Sequence, residues 1–402
     1  MGLLSRFFRK ADPVVISTPE ELAAVIGATW DSSAGVAVSP ETAMRFSTVY
    51  ACVRVIAESI GALPLVLYRD NGAKGERETR HPLHRVLTVA PNPYMTPAEF
   101  KELMASCLAS NGNFYAYKVW ALGELVELLP IDPSRVTPKL REDWSVVYEV
   151  TFPDARRAVL TQDELWHVRL FGRDGLLGRS PISQAREDIG AAIAAQRMGG
   201  ASFKNGSKLS GVLHTDGTLK DDAYQRIRAS WQDTYGGVDN ANKVAILEGG
   251  LKFQSVQMSA ADAQWIESRK MSRSEIAGTF RVPPHKIGDL ERATFSNIEH
   301  QAQEFVTDCL LPYLVKIEQR INAGLLPKED VGRYYAKFTL NGLLRGDAKS
   351  RAEFYTRMVQ NGAMSPNEIR ALEDMNPRDG GDIYLTPLNM AVNGQPIKEQ
   401  SA

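Results

Sequence analysis

The sequence predicts an α+β fold: a mixed body that breaks off into two long helices around a small α/β insertion and then resumes. Three observations carry this reading. Helix-type and strand-type patterns alternate over the first 180 residues. Two capped helical stretches, 181–206 and 260–280, bracket residues 207–259. A third long helical pattern is followed by a strand pattern, Arg333–Thr339, that resembles a return to the body. At 402 residues the chain is too long for one ordinary compact core, so two or three domains are expected. Hydrophobic residues at 44% and charged residues at 24% are the balance of a soluble globular protein. No stretch reaches the ~18–20 apolar residues of a bilayer span, so no membrane role is expected.

Residues 1–27 read as an arm that docks on a partner. Its start, Met1 to Lys10, is basic and apolar but too short for a secretory signal. Arg6 stands where a myristoylation motif wants Ser or Thr. From residue 28 to 180 the body is expected. Ser39-Pro40 caps a helix whose Phe46, Tyr50, Val53, Ala57 and Ile60 fall on one face. Leu63–Arg69 then reads as a strand. Thr96 and Glu99 form a capping box for a second helix, which Asn111-Gly112 stops. Asn113–Trp120, Glu124–Leu129, Val146–Phe152 and Leu165–Phe171 follow as strands separated by Pro and Gly turns.

Ser180-Pro181 opens the first long helix, 181–206, with Ile182, Ala185, Ile189, Ile193 and Phe203 roughly on one face. Gly190, Gly199 and Gly200 each weaken it by ~1 kcal/mol relative to Ala, so close packing against a neighbour is expected to compensate. The insertion 207–259 reads as a strand at Gly211–His214, a helix near Lys220–Tyr235, and strands at Lys243–Leu247 and Lys252–Gln257. The second long helix, 260–280, is polar on most faces, with Glu267, Arg269, Lys270, Arg273 and Glu275, as a solvent-bridging helix would be. A loop occupies 281–296. Ser296 and Glu299 then cap a helix running to about Asn322, which Pro312 should kink. Residues 297–344 hold this helix and the returning strand, and 345–402 read as short helices ending in a loose tail.

Chemistry finds little purchase in this pattern. No Walker-type phosphate loop occurs. His81-Pro-Leu-His84 has an H-x-x-H look, but the proline argues for a turn, with no third ligand close in sequence. Gly172–Gly175 imitates a nucleic-acid-clamping loop but joins a strand to a helix. Ser180 lacks the second glycine of a nucleophile elbow and already has a capping role. Asp379-Gly-Gly-Asp382 reads as a surface turn before it reads as a cation site. Cys52, Cys107 and Cys309 lie far apart with no C-x-x-C, as reduced core thiols do. No metal, cofactor or catalytic residue is expected. The 47 Lys and Arg against 48 Asp and Glu leave a net charge of −1, so tight binding to DNA phosphates is not expected either.

One family carries these residues in this order. Met258–Gln264, Glu267–Lys270, Val282-Pro-Pro-His-Lys-Ile-Gly-Asp289 and Ala293–Glu299 resemble the portal proteins of tailed double-stranded-DNA bacteriophages, of the long-tailed siphovirus type. Tyr50–Val53 with Leu63–Tyr68, His81–Leu83, Pro91–Pro93, Gly112-Asn113, Lys243–Gly250 and Gly342–Asp347 extend the resemblance over about residues 40 to 390. It implies a portal-type fold with an α+β wing, long stem helices flanking a small α/β clip, and a helical crown. It also implies a dodecameric ring at one capsid vertex, through which double-stranded DNA passes transiently and without sequence preference. The implied partners are the terminase large subunit, the head-tail adaptor, the major capsid protein and the scaffold. The implied location is the virion, after synthesis in the host cytoplasm. A portal of a domesticated gene transfer particle fits the same residues. A nucleic-acid-processing enzyme would need acidic metal ligands or a nucleotide loop, which the sequence lacks.

The resemblance places residues 281–296 at the tunnel loop. Val282, Pro283, Pro284, His285, Lys286, Ile287 and Arg292 are thereby expected to face the DNA channel, Val282 and Ile287 forming an apolar tip over which phosphates slide. The competing reading buries Val282, Pro283, Pro284 and Ile287 against the wing, where truncating Val282 or Ile287 would cost ~1–4 kcal/mol. Arg226 and Arg228, on the helix of the clip, are the expected docking residues.

Overall fold

The computed structural model describes residues 30–72, 75–152, 154–204, 211–214, 221–235, 252–255, 271–289, 301–340, 348–373, 375–385, 391–392 and 395–396. Strands β1 (Trp30–Asp31) and β2 (Ala37–Val38) form a short hairpin. Ser39 then caps helix α1 (Pro40–Met44) with Thr42 as its box partner. The chain leaves the helix at Phe46 and restarts as α2 (Ser47–Gly61). That break corrects the single helix expected from Ser39. It also resets the phase, so that Val49, Cys52, Val53, Ile56 and Ile60 are buried while Tyr50 is exposed.

His81 and Pro82 correct the sequence reading in a second place. Proline at a first helical position needs no N–H partner and has the right φ, so the expected turn is the start of α3 (Pro82–Thr88). His81 is its cap. The Leu83 N–H donates to His81 Nδ1 at 3.0 Å, and His81 Nε2 lies 3.1 Å from Asp330 Oδ2. His84 turns elsewhere, to Thr88. Helix α4 (Pro97–Asn111) keeps the expected Thr96–Glu99 box and packs on α2.

Three antiparallel sheets complete the body. In the first, β3 (Leu65–Asp70) lies between β4 (Gly75–Arg77) and β13 (Tyr334–Phe338), with Leu67 opposite Ala336. The expected return strand therefore does close the body. In the second, β5 (Asn113–Ala121) is central between β6 (Glu124–Ile131) and β10 (Leu165–Arg169). The third holds β7 (Val136–Leu140), β8 (Val146–Thr151) and β9 (Arg157–Thr161). Alternation along β10 splits its side chains between two cores. Trp166 and Val168 face the main one, whereas Leu165 joins Tyr115, Tyr148, Val150 and Leu160 in the other.

The turn into β5 is a tight junction. Gly112 ends α4 with φ +74, and a Cβ there would lie 2.3 Å from the Arg179 carbonyl oxygen. Asn113 accepts the Gly178 N–H at 2.8 Å and returns an amide hydrogen to the Gly178 carbonyl at 2.8 Å. Ser180 Oγ accepts the Ser183 N–H and donates to the Ser110 carbonyl, so the hydroxyl is fully occupied as a cap.

Past Ser180 the predicted long helix is α5 (Pro181–Gln184) followed by α6 (Arg186–Lys204). Ile182, Ala185, Ile189 and Ala192 are buried. Gly190 is where the expected close packing occurs, since a Cβ would meet Ser32 Oγ at 2.2 Å. Gly200 has nothing within 4 Å, so the compensation expected there is absent among the described residues. Burial fades beyond Ile193, and Met198 is 73% exposed. In the insertion, β11 (Gly211–His214) pairs antiparallel with β12 (Lys252–Ser255), and α7 (Asp221–Tyr235) lies between them in sequence. The strand expected at 243–247 lies outside the described residues.

Of the second long helix, residues 271–279 (α8) are described and helical. The next helix resumes at 301 and passes through a π-helical turn, Phe305–Leu310, into α9 (Leu311–Gly324). Pro312 has no N–H and its ring crowds the preceding turn, which accounts for the widened turn just before it. Helices α10 (Ala348–Gln360) and α11 (Pro366–Leu372) follow. Asn367 is buried there, donating to the Arg378 carbonyl and to Asp382 Oδ1, and accepting the Arg378 N–H. The Asp379-Gly-Gly-Asp382 segment is thus held as a turn by an amide.

Candidate functional site

The loop after α8 begins as a helix end. Arg281 N–H donates to the Gly278 carbonyl and Val282 N–H to the Ala277 carbonyl, both at 3.0 Å, the paired bonds of a left-handed C-terminal cap. Arg281 occupies the left-handed position with φ +56, where glycine is the usual residue. Its side chain explains the choice. Arg281 Nη1 donates to the Asp308 carbonyl at 3.3 Å, four residues before Pro312 and therefore the carbonyl whose ordinary helical donor is missing.

Pro284–Ile287 then make one 3-10 turn, which Gly288 ends with φ +77. The guanidinium of Arg273 donates to the Ile287 carbonyl and pins that turn to α8. His285 Nδ1 sits 2.7 Å from Gln301 Oε1, and Lys286 Nζ lies 5.5 Å from the Phe305 ring centroid. Cys309 Sγ donates to the Phe280 carbonyl at 3.4 Å. The loop is therefore fastened along its length to the helix that follows it.

This fastening sorts the expected channel residues. Pro284 and Lys286 are exposed, and Pro283 and His285 are half-buried. Val282 is 2% exposed and Ile287 9%, both in the main core with Ile276, Ala277 and Phe280. Within the chain Val282 and Ile287 thus lie in the main core, not at an exposed tip. The physical reason for Val282 is the helix cap, which turns its side chain inward, and in the 3-10 turn that follows Ile287 is buried while Pro284 and Lys286 are exposed. Arg292 lies outside the described residues.

Between the loop and the next helix runs an open cleft of about 560 Å³, with Pro283 and Pro284 on one wall and Gln301, Glu304 and Thr307 on the other. Arg281 on one side, with Glu304 and Asp308 on the other, makes it mixed in charge. Sequence reasoning missed Arg281, Arg273 and Gln301. The signal for Arg281 was legible: a proline inside a helix strands a carbonyl, and a long donor after a nearby helix end can reach it. On the insertion, Arg226 is exposed on α7 and lies 3.8 Å from Asp222, one turn earlier. Arg228 is part of the same helix, and its side chain lies outside the described residues.

Burial pushes the Cys52 and Cys309 thiols up to about 12, far from reactive thiolates. Burial likewise pushes His167 down to about 3, with Arg169 and Arg320 adding to the effect. It is a neutral core histidine that meets Asn113 Oδ1 at 3.1 Å. Among the described residues no three His, Cys, Asp or Glu side chains gather as metal ligands, and no helix is long and apolar enough to cross a membrane.

The profile of the family "Phage portal protein" matches residues 47–374, which include the body, α6, α7 and the loop. The portal protein of Enterobacteria phage HK97 is 34% identical over 371 residues, covering 89% of this chain and 87% of that one. The chain belongs to the phage portal protein family. Its function is that of a portal protein of the HK97 type, a family whose role is structural. Two solved structures share the fold. The neck of an empty gene transfer agent particle, computed with C6 symmetry, matches with a TM-score of 0.64 and 25% identity over 84% of this chain and 94% of that one. The neck of the native particle, computed with C12 symmetry, matches with a TM-score of 0.62 and 24% identity over 89% and 98%.

Proposed function

We propose that this portal protein assembles as a dodecameric ring at one capsid vertex, forming the conduit for DNA packaging and ejection. The observation that carries the reading is α6. Its first half is core and its second half leaves the body with residues such as Met198 uncovered, so its outer turns need partners that a neighbouring subunit can supply. Residues 28–180 then form the first part of the wing, 181–206 and 260–280 the stem, and 207–259 the clip. Residues 281–296 are the tunnel loop, 297–344 the kinked helix and wing return, and 345–402 the crown and tail. The loop's balanced charge suits a conduit, because dense Lys and Arg would hold moving DNA by counterion release.

Light scattering of the purified protein tests the assembly. Twelve copies of the 44.4 kDa chain should give rings of about 530 kDa. A monodisperse monomer at every salt and protein concentration would overturn the proposal.

On the same reading the clip docks the terminase large subunit first and the head-tail adaptor later, while the wing meets capsid protein and scaffold. Reversing Arg226→Glu together with Arg228→Glu should weaken motor and adaptor binding while rings still form, since exposed charges mainly tune encounter. Packaging and tail attachment at wild-type levels would remove the clip from docking. A gene transfer particle would use the same subunit, and the likeness to gene transfer agent necks favours keeping that reading; the genes surrounding this one separate the two.

A further inference from the structure

The sheet of β7, β8 and β9 treats its two edges differently. Pro138 has no N–H, and in the β7–β8 register it and Val136 turn their main-chain groups away from β8. The Val136 N–H, on that outer side, is already taken by the Pro133 carbonyl. A proline and a turn thus close most of the β7 edge, as exposed edges commonly are closed. The same alternation carried through β8 turns Ala158 and Leu160 of β9 inward, opposite Val150 and Tyr148, and Arg157, Val159 and Thr161 outward. Thr161 is occupied: its N–H donates to Glu164 Oε2 at 2.8 Å, and its carbonyl accepts the Glu164 N–H at 3.2 Å. Arg157 and Val159 are open. Among the described residues nothing bonds to the outward N–H or carbonyl of either, and Val159 is 55% exposed.

A strand that fits this edge is short, β-branched and two-faced. Its inward side chains would lie beside Ala158 and Leu160 and extend the smaller core, and its outward ones would lie beside Arg157 and Val159. The sequence holds such a run in Pro13-Val-Val-Ile-Ser-Thr-Pro19, a β-type stretch between two prolines that lies outside the described residues. With Val15 opposite Val159 and Ser17 opposite Arg157, antiparallel pairing puts Val14 beside Leu160 and Ile16 beside Ala158 on the core face. A shift of one residue would send both to solvent. Residues 19–29 separate the run from Trp30, a tether of at most ~36–40 Å that keeps the run concentrated near its own body. We propose that residues 14–18 of the chain's own arm add to β9 as a fourth, antiparallel strand and close the open edge of this sheet.

Amide-resolved hydrogen exchange of the full chain tests the strand. The Arg157 and Val159 amides should be protected in wild type and exchange at least about tenfold faster in the double variant Val14→Lys with Ile16→Lys, while Ala158 and Leu160, which bond to β8, keep their rates. Val159→Pro is the converse change. It removes an outward N–H without touching the β8 ladder, and should expose the Arg157 amide to the same degree. Equal exchange at Arg157 in wild type and both variants overturns the proposal. Opening of Ala158 and Leu160 together with Arg157 overturns it too, since the arm would then be bracing the sheet from elsewhere. Val15→Cys with Val159→Cys places two thiols across one rung, where Cα atoms ~5.5 Å apart suit a disulfide. Mild oxidation should give an intrachain bond, seen as a faster-moving monomer on non-reducing gels and absent from each single-cysteine variant. A ladder of covalent oligomers rejects the chain's own arm and assigns the strand to a neighbouring copy. No bond of either kind overturns the pairing.

Discussion

Gly112→Ala should destabilise the subunit by more than ~3 kcal/mol and abolish its assembly. Two independent terms act at this one atom. The backbone has φ +74, a conformation that costs a side-chain-bearing residue roughly 1–2 kcal/mol. The added Cβ would also lie 2.3 Å from the Arg179 carbonyl oxygen and 2.9 Å from the Ser180 nitrogen. Both are backbone atoms, so no side chain can swing aside to make room. Any shift must open the Asn113–Gly178 bonds and disturb Ser180, which bonds to Ser110 and caps α5. Strand β5 and helix α5 are therefore loosened together. Denaturant unfolding measures the loss directly, and hydrogen exchange should show the amides of β5 and α5 opening first. A loss under ~1 kcal/mol would mean that the junction yields more easily than its geometry allows.

Much of this body was legible because short-range rules dominate there. The Thr96–Glu99 box, the strand from Asn113 and the return of Tyr334–Phe338 to β3 each follow from capping or alternation within a few residues. Two misreadings came from the same class of residue. Pro82 reads as a turn residue and begins a helix, and Phe46 reads as helix interior where the chain breaks. In both cases the deciding quantity is the φ/ψ of one residue at a boundary, which composition does not fix. The loop was harder for a different reason. Val282, Pro283, Pro284 and Ile287 have the same apolar character whether they line a channel or a core. Only the left-handed turn at Arg281 decides which way they face, and that turn depends on Asp308, 27 residues away in sequence.

That orientation gives the second large effect. Ile287→Ala should lower subunit stability by ~2–4 kcal/mol, and Val282→Ala should lower it by a smaller amount of the same kind. Val282 and Ile287 share the main core with Ile276, Ala277 and Phe280, so truncation leaves a void in that core. Ring assembly should fall with stability in these variants. Lys286→Gln is the contrasting change. Lys286 is exposed and its cation sits over Phe305, a contact worth ~0.5–1 kcal/mol at such a site. Its rings should form normally, and any change should appear in packaged genome length and in retention of DNA after packaging. Thermal melting, ring mass and genome length measured on the same three variants separate the two faces of the loop. Stable Ile287→Ala and Val282→Ala subunits with altered packaging would turn these side chains outward into the channel. Their instability, beside a stable Lys286→Gln subunit with altered packaging, would assign the DNA-facing role to the exposed side of the loop.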